Sequence, residues 1–283
     1  FKHSVEKSMV WLIGKRRGKK IARIEITGAI ASETRQRVLK ALKTIEDQKW
    51  KALLLRIDSP GGTVGDSQEI YSALRHLQKK MKIVASFGNL SASGGVYIGM
   101  GAEKIVANPG TITGSIGVIL RGNNLERLLD KVGVSFQVVK SGPYKDILSF
   151  DRELSEEEKQ ILQALIDSSY NQFVHTVAQA RNLSVEAVHG FADGRIFTGE
   201  QAQQLGVVDR LGTEEEARHW LAEMVDLNPD KTKCVTFGEK KSPLKRVLPN
   251  QNQIDTNLTW KSARDWLEFE LATNGQPLWL YRP

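Results

Sequence analysis

Apolar residues recur with two different periods along the first hundred residues. Between 34 and 47, Val38, Leu42 and Ile45 fall at helical spacing, whereas 52–57 is an almost continuous apolar run of the kind found in strands covered on both faces. The predicted strands are 21–30, 52–57 and 82–89. The predicted helices are 34–47, 66–80 and one that begins within 91–100. This alternation predicts an α/β core with mainly parallel strands.

The second half of the chain carries weaker signals and one long helix. Short strands are predicted at 104–107, 118–120 and 136–140, and helices at 124–131, 154–181 and within 187–211. Ser155 is the predicted N-cap of the longest helix, and the acidic run Glu156, Glu157 and Glu158 lies in its first turn, where the helix dipole favours acids. The acidic run therefore needs no ligand to explain it. No internal repeat is present, which indicates one copy of the unit.

Composition divides the chain into four predicted parts. Residues 1–19 form a basic leader and 20–228 form the main domain. Beyond Asn228, Pro, Lys, Asn and Gln become frequent, so 229–259 is predicted to be a mobile linker. Residues 260–283 are predicted to hold an amphipathic helix, 260–271, and the tail PLWLYRP.

Charge and cysteine content limit the classes of partner. The net charge is +7 and the pI about 9.4, with five positive residues concentrated within 15–20. We interpret this run as a solvated leader and expect no nucleic-acid partner, because no aromatic residues alternate with the basic ones. The single cysteine, Cys234, excludes an intramolecular disulfide and is interpreted as a partly buried small residue.

No apolar stretch approaches the roughly 18 residues that span a bilayer, so no transmembrane helix is expected. Residues 9–13 (MVWLI) are too short for a signal-peptide core. A peripheral membrane contact through Trp11 and Leu12 stays open as an alternative. The expected location is therefore cytoplasmic or peripherally membrane-associated.

Three segments contain residues that could take part in catalysis, and each follows a predicted strand. The first two are rich in glycine. In Asp58-Ser59-Pro60-Gly61-Gly62, the paired glycines let a carbonyl approach the main chain, and their N–H groups suit an oxyanion hole. A plain tight turn is the alternative. In Ser91-Ala92-Ser93-Gly94-Gly95, a serine at the start of a helix is a candidate nucleophile, with Gly94 N–H as a second donor. A simple helix N-cap is the alternative for Ser91 and Ser93.

Lys145 is the candidate base. The five histidines lie outside the glycine-rich turns, and a lysine can replace histidine when desolvation or a nearby charge lowers its pKa by several units from about 10.4. Lys145 lies between Tyr144 and the apolar pair Ile147 and Leu148, which predicts partial burial. An ordinary surface lysine is the alternative.

Four segments together resemble the signal peptide peptidase A family, peptidase family S49, of the ClpP/crotonase fold. They are IDSPGGTV, SASGGVYI, TGSIGVI and KSGPYKDI, and the resemblance covers about 20–212, including ADGRIFTGEQAQQLGVVDRLG. It implies an α/β fold of repeated β-β-α units with a helical oligomerisation segment. The chain resembles the single-unit bacterial members, and the spanning helix of the membrane-bound ones is not expected in it.

The resemblance also implies the roles of individual residues. Ser93 takes the position of the nucleophile, Lys145 that of the general base, and Ser115 that of the serine that orients the lysine. Gly62 and Gly94 match the oxyanion donors, with Gly61 as the alternative to Gly62. The implied activity is cleavage of signal peptides or other short hydrophobic peptides in a homo-oligomeric ring, with no metal or cofactor.

Two other classes of function stay open at this point. A crotonase-like acyl-CoA enzyme shares the fold and the oxyanion glycines but has no need for both Ser93 and Lys145. A non-catalytic scaffold or nucleic-acid-binding protein is suggested only by the basic charge.

Overall fold

Eight strands of the described chain form one sheet, and two more form a separate antiparallel pair. The computed structural model describes residues 20–238 and 275–281, so the basic leader 1–19 and the helix predicted at 260–271 lie outside the described residues. The strands are β1 (Lys20–Thr27), β2 (Ala52–Ser59), β3 (Gly61–Thr63), β4 (Lys82–Ala92), β5 (Lys104–Ala107), β6 (Ile112–Gly114), β7 (Ile196–Thr198), β8 (Arg210–Leu211), β9 (Lys233–Phe237) and β10 (Leu278–Leu280).

Helices connect most of these strands. They are α1 (Ser32–Asp47), α2 (Val64–Gln78), α3 (Gly94–Gly99), α4 (Glu126–Val132), α5 (Glu156–Arg181), α6 (Val185–His189), α7 (Gly199–Gln204) and α8 (Glu214–Glu223), with a 3₁₀ turn at Pro229–Lys231. The sheet order is β7-β6-β4-β2-β1-β9, with β5 beside β4 and β8 beside β5. All its pairs are parallel except β6 with β7, so the predicted parallel α/β core is confirmed.

The apolar run of β2 is buried on both faces of the sheet. Leu53, Leu55 and Ile57 point into the larger core, while Ala52 and Leu54 point into a smaller one. The larger core includes side chains of α1, α2, α3 and α5, and the smaller one includes side chains of α8. This two-sided covering explains why β2 reads as a continuous apolar run.

Strand β4 is longer than predicted, because it continues past Asn89 to Ala92. The Asp58 carboxylate accepts hydrogen bonds from the N–H groups of Asn89 and Leu90, at 3.3 and 3.0 Å. Beyond them, Leu90 to Ala92 pair with β6. Pairing with a new neighbour therefore carries the strand through the point where the sequence predicted its end.

Three sequence predictions are wrong in the described residues. No strand forms at 136–140, whose apolar side chains are exposed and whose backbone has no strand partner among the described residues. Residues 118–120 form no strand either, although Ile119 makes a single bridge to Leu278. The predicted linker cannot begin at 229, because β9 pairs with β1 at the edge of the sheet. Residues 239–259 lie outside the described residues.

The long helix α5 begins as predicted. Ser155 accepts a hydrogen bond from Glu158 N–H, and the Glu158 carboxylate accepts one from Ser155 N–H, so the two residues form a capping box. At its other end, Arg181 forms an ion pair with Asp209 at 2.8 Å. The Asp209 carboxylate also accepts hydrogen bonds from Ile105 N–H at 2.8 Å and Lys104 Nζ at 3.1 Å. Asp209 therefore ties α5 to β5.

We expect Asp209→Asn to lower the free energy of unfolding by about 2 kcal/mol at neutral pH, because charge-assisted hydrogen bonds are lost. Burial alone would raise the pKa of Asp209, but Arg181 and the Ile105 N–H outweigh burial, so the pKa lies below its usual range. Stability from such a carboxylate is present above the unfolded-state pKa of about 3.9 and is lost as the pH falls through the folded-state value. Urea unfolding from pH 7 down to pH 3 should therefore show the difference between the two proteins shrinking below pH 4. A difference that does not change with pH would contradict this account.

Candidate active site

The first two glycine-rich segments meet beside the ends of β2 and β4. Ser59 pairs with Ser91 across the two strands. A Cβ atom built on Gly61 would lie 2.7 Å from the Gly94 nitrogen, so the two backbones are in direct contact. The structure thus brings Gly61, Gly62, Ser93 and Gly94 together, as expected from parallel strands whose carboxyl ends share one edge.

Ser93 has a strained backbone conformation. Its φ is 53° and its ψ −115°, a region that residues with a side chain rarely adopt. Its N–H donates to the Gly114 carbonyl at 2.8 Å, which holds the turn between β4 and α3. Helix α3 has only six residues, so a helix dipole contributes little here.

The Ser93 hydroxyl is buried without a partner. Ser93 is 1% exposed, and within the described ranges its Oγ has no hydrogen-bond partner. The N-cap reading is wrong for both serines, since Ser93 caps nothing with its side chain and Ser91 lies inside β4. A buried hydroxyl left without a partner in a strained turn is typical of a reactive group.

Close backbone contacts explain the glycines. A Cβ atom on Gly62 would lie 1.9 Å from the Ile30 carbonyl oxygen, and one on Gly94 would lie 2.8 Å from Ser67 Oγ. No side chain fits at either position, because Ile30 and Ser67 already fill the space that a Cβ atom would take.

Sequence reasoning missed a set of hydroxyl groups that brace this turn. Ser59 Oγ donates to the Gly28 carbonyl at 2.6 Å and accepts from Gly61 N–H at 3.1 Å. Ser91 Oγ donates to the Ile57 carbonyl at 2.7 Å. Both serines belong to the two glycine-rich segments, but the carbonyls of Gly28 and Ile57 that accept from them are more than thirty residues away in the chain, so local sequence patterns could not identify these two bonds.

Ser115 follows the glycine that anchors Ser93. It is buried, has a φ of 50°, and donates its N–H to the Arg195 carbonyl at 2.7 Å. The segment TGSIGVI contacts the site through its backbone, because the Gly114 carbonyl accepts a hydrogen bond from Ser93 N–H. Ser115 itself is one residue away from that contact.

Lys145 is exposed, which contradicts the predicted partial burial. It lies in a turn region, 142–148, and within the part of the chain that the structure describes its Nζ forms neither a hydrogen bond nor an ion pair. The structure therefore does not join Lys145 to Ser93 by a hydrogen bond. None of the described histidines fills the gap, since Ser93 Oγ has no partner of any kind among those residues.

An ion-pair cluster next to Lys145 was also missed. Arg152 donates to both Asp146 and Glu158, and Lys140 donates to Asp146 at 2.7 Å. These hydrogen bonds hold the pKa of Asp146 well below its usual range. They also lower the pKa of Glu158 to about 2, with Arg152 as the main cause. The cluster fastens the lysine-bearing turn to the beginning of α5.

The segment around Lys145 exposes an unusual amount of apolar surface. Its exposed apolar side chains are Leu125, Leu128, Val132, Val134, Phe136, Val138, Val139, Tyr144 and Phe150. Monomeric proteins rarely leave such a concentration facing water, so this segment is a candidate contact surface.

A segment from the far end of the chain also reaches the site. Strand β10 pairs antiparallel with β3, placing Trp279 opposite Gly62. The sequence prediction left this segment as a tail after a linker and assigned no contact to it.

Two further properties concern only the described residues. Within 20–238 and 275–281, no helix is long and apolar enough to cross a bilayer. The same ranges hold no group of three or more His, Cys, Asp or Glu side chains placed to bind a metal ion.

The fold is that of the Clp peptidases. The structure matches a point mutant of ClpP1 from Listeria monocytogenes with a TM-score of 0.50 and 19% sequence identity, over 73% of this chain and 98% of that one. The Clp protease family model also matches residues 12–111. This confirms the predicted ClpP-like α/β fold.

The chain belongs to peptidase family S49, whose model matches residues 75–228. A Synechocystis sp. protein provisionally named as a protease is 66% identical over 97% of this chain and 100% of its own length. An Enterococcus faecium protein provisionally named signal peptide peptidase SppA is 41% identical over 70% of this chain and 62% of its own. Protease 4 of Salmonella typhi is 40% identical over 64% of this chain, which matches only 29% of that longer protein. The predicted family is thus confirmed, and the chain is a peptidase by family.

We expect Arg152→Gln to loosen the turn that carries Lys145, because the charge-assisted bonds to Asp146 and Glu158 are lost. Limited proteolysis should then cut within 140–152 several times faster than in the wild type, while the rest of the chain keeps its cleavage pattern. Arg195→Gln is the matched control, since Arg195 pairs with Asp193 at the surface and has no contact with this turn. Equal cleavage rates in the two variants would contradict the role of the cluster.

Proposed function

We propose that this chain is a serine endopeptidase in which Ser93 is the nucleophile and Lys145 the general base. The observation that carries the proposal is the buried Ser93 hydroxyl, which lies without a partner among the described residues in a strained turn next to Gly61 and Gly94. Membership of peptidase family S49 supports hydrolysis over the acyl-CoA and scaffold alternatives.

The proposed reaction is acyl transfer through the serine. Lys145 Nζ, in its neutral form, accepts the Ser93 hydroxyl proton while Oγ bonds to the scissile carbonyl carbon. The Gly62 and Gly94 N–H groups stabilise the negative oxygen. The carbon–nitrogen bond then breaks, and the leaving amine takes the proton from Lys145. Water attacks the acyl carbon and gives a proton to Lys145; the ester carbon–Oγ bond then breaks, Ser93 Oγ takes that proton from Lys145, and the acid is released with both residues restored.

The exposure of Lys145 makes assembly part of the proposal. A lysine acts as a base at neutral pH only where it loses water contact or gains a neighbouring positive charge. The exposed apolar side chains between residues 125 and 150 lie on both sides of Lys145 along the chain. A second copy of the chain that covered them would exclude water from the lysine. A homo-oligomeric ring is therefore proposed, with the contact at this segment bringing lysine and serine together. Ser115 is proposed to orient the lysine in that assembly.

The proposed substrates are short hydrophobic peptides, including signal peptides. The name of the Enterococcus faecium relative supports signal peptides. The packing of Leu278 and Leu280 of β10, the strand paired with β3, against Ala29 and Ala31 supports hydrophobic ones. The proposed place of action is the cytoplasm or a membrane face reached peripherally.

Ser93→Ala and Lys145→Ala are each expected to lower kcat for a fluorogenic hydrophobic peptide by about a thousandfold or more, since either change removes a group that acts in the chemical step. Lys131→Ala, an exposed lysine in α4 of the same segment, is the matched control and should keep wild-type kcat. Circular dichroism and thermal unfolding should be unchanged in all three variants. Activity retained by either site variant would end the dyad assignment.

A mixture of the two inactive variants tests whether the dyad forms between subunits. If Lys145 of one copy serves Ser93 of another, mixing Ser93→Ala with Lys145→Ala after subunit exchange should restore a measurable share of activity. An inactive mixture that sediments as an exchanged oligomer would show instead that each chain supplies both residues. A wild-type protein that is active and sediments as a monomer would overturn the ring.

A further inference from the structure

Strand β10 lies beside the two glycine motifs that flank Ser93. On one side it pairs with β3, and Tyr281 N–H donates to the Pro60 carbonyl at 2.7 Å. Hydrogen-bonded pairs recur at every second residue of an antiparallel ladder, so Trp279 and Gly62 form the next such pair. The Trp279 carbonyl therefore faces the N–H group proposed as an oxyanion donor.

The glycine contacts place the same carbonyl group close to the second donor. A Cβ atom on Gly61 would lie 2.0 Å from the Trp279 oxygen, and one on Gly94 would lie 3.1 Å from it. Only glycine at 61 leaves room for this oxygen. The carbonyl of Trp279 thus occupies the space between the two glycine motifs.

The other side of β10 is bound by the chain that follows Ser115. Ile119 N–H donates to the Leu278 carbonyl at 3.0 Å, and Leu278 N–H donates to the Ile119 carbonyl at 2.9 Å. Gly275 N–H donates to the Arg121 carbonyl at 3.0 Å. The segment 275–281 is therefore held on both sides, by β3 and by the chain at 119–121, through main-chain bonds that any extended peptide could make.

Side-chain pockets add selectivity to this strand. Trp279 is fully buried, with its ring 4.0 Å from that of Tyr97 and 4.8 Å from that of Phe173. Its Nε1 has no acceptor within the described ranges, so the pocket recognises the ring by stacking and not by a hydrogen bond. Leu278 and Leu280 on either side are also buried.

We infer that 275–281 is a tethered occupant of the substrate groove, and that Tyr97 and Phe173 form a specificity pocket for a large aromatic side chain on the residue whose carbonyl is attacked. The inference rests on the proposed function and adds the substrate class. A substrate would be an extended peptide with an aromatic residue between two apolar ones, and it would have to displace 275–281 to bind. The bond attacked would be the one that follows the aromatic residue.

Peptide binding tests this inference without requiring catalysis. The full chain carrying Ser93→Ala and Trp279→Ala should bind a fluorescent peptide of sequence QPLWLY in an anisotropy titration. The same peptide with Ala in place of Trp should bind about tenfold more weakly or worse, because the buried aromatic area is lost. A Phe version should compete within about tenfold of the Trp peptide, because the pocket offers the indole N–H no hydrogen bond.

Occupancy by the tethered segment is tested by comparison with the Ser93→Ala single variant. With Trp279 in place, binding of QPLWLY should be about tenfold weaker or more, because the segment competes. Trp50→Ala, combined with Ser93→Ala, is the matched control: Trp50 is a buried tryptophan that packs on Phe237 at the other edge of the sheet. It should leave QPLWLY binding at the single-variant level, which separates release of the groove from loss of core packing.

The outcomes separate the two proposals. Equal binding of the Trp and Ala peptides, or no binding of either, would overturn the specificity pocket. Equal affinity with and without Trp279 would overturn the tethered occupant. If the Ser93→Ala variant hydrolysed peptides as the wild type does, the proposed mechanism would be overturned. The binding results would still stand.

Discussion

Ser93 keeps a positive φ because the elements on both sides of it are fixed independently. Strand β4 is held to β2 and β6, and the Ser93 N–H is fastened to Gly114 at the end of β6. Residues held in such sparsely populated conformations cost of order 1–3 kcal/mol and persist only when their surroundings determine them. The hydroxyls of Ser59 and Ser91 are part of those surroundings, since they tie the end of β2 to the loop that follows β1 and to β4. The geometry of the proposed nucleophile is thus a property of the whole sheet edge.

The two halves of the proposed dyad belong to parts of the chain with opposite character. Ser93 lies in a densely packed centre, where neighbouring glycines admit only backbone. Lys145 lies on an exposed segment rich in apolar side chains and is positioned by the cluster of Asp146, Arg152 and Glu158. The packed centre holds a hydroxyl without a hydrogen-bond partner among the described residues, and the segment around Lys145 holds apolar side chains that face water. Both are accounted for if the chain functions as an assembly.

Much of the sheet could be predicted from the sequence, because β2 and β4 carry strong apolar runs and α5 has a clear capping box. The glycine motifs could also be predicted, because close backbone contact and a positive φ both favour glycine at the position concerned. Features that depend on distant partners could not be predicted. Residues 136–140 have strand-like composition but no neighbour to pair with among the described residues, and β4 continues past Asn89 because Leu90 to Ala92 pair with β6. The pairing of β10 with β3 joins residues more than two hundred positions apart, so the sequence near Trp279 could not predict it.

The edge strand β9 has a consequence for how the groove is occupied. It holds Lys233–Phe237 against β1 at one edge of the sheet, and Trp279 of the same chain lies beside the glycine motifs. A ligand that belongs to the same chain as its site meets that site at an effective concentration that does not depend on the protein concentration, without any gain in intrinsic affinity. Dilution would not empty such a groove. A free peptide would have to displace 275–281, and it would do so only at a high concentration or with a high affinity for the groove. Scarce or weakly binding peptides would therefore not be cleaved.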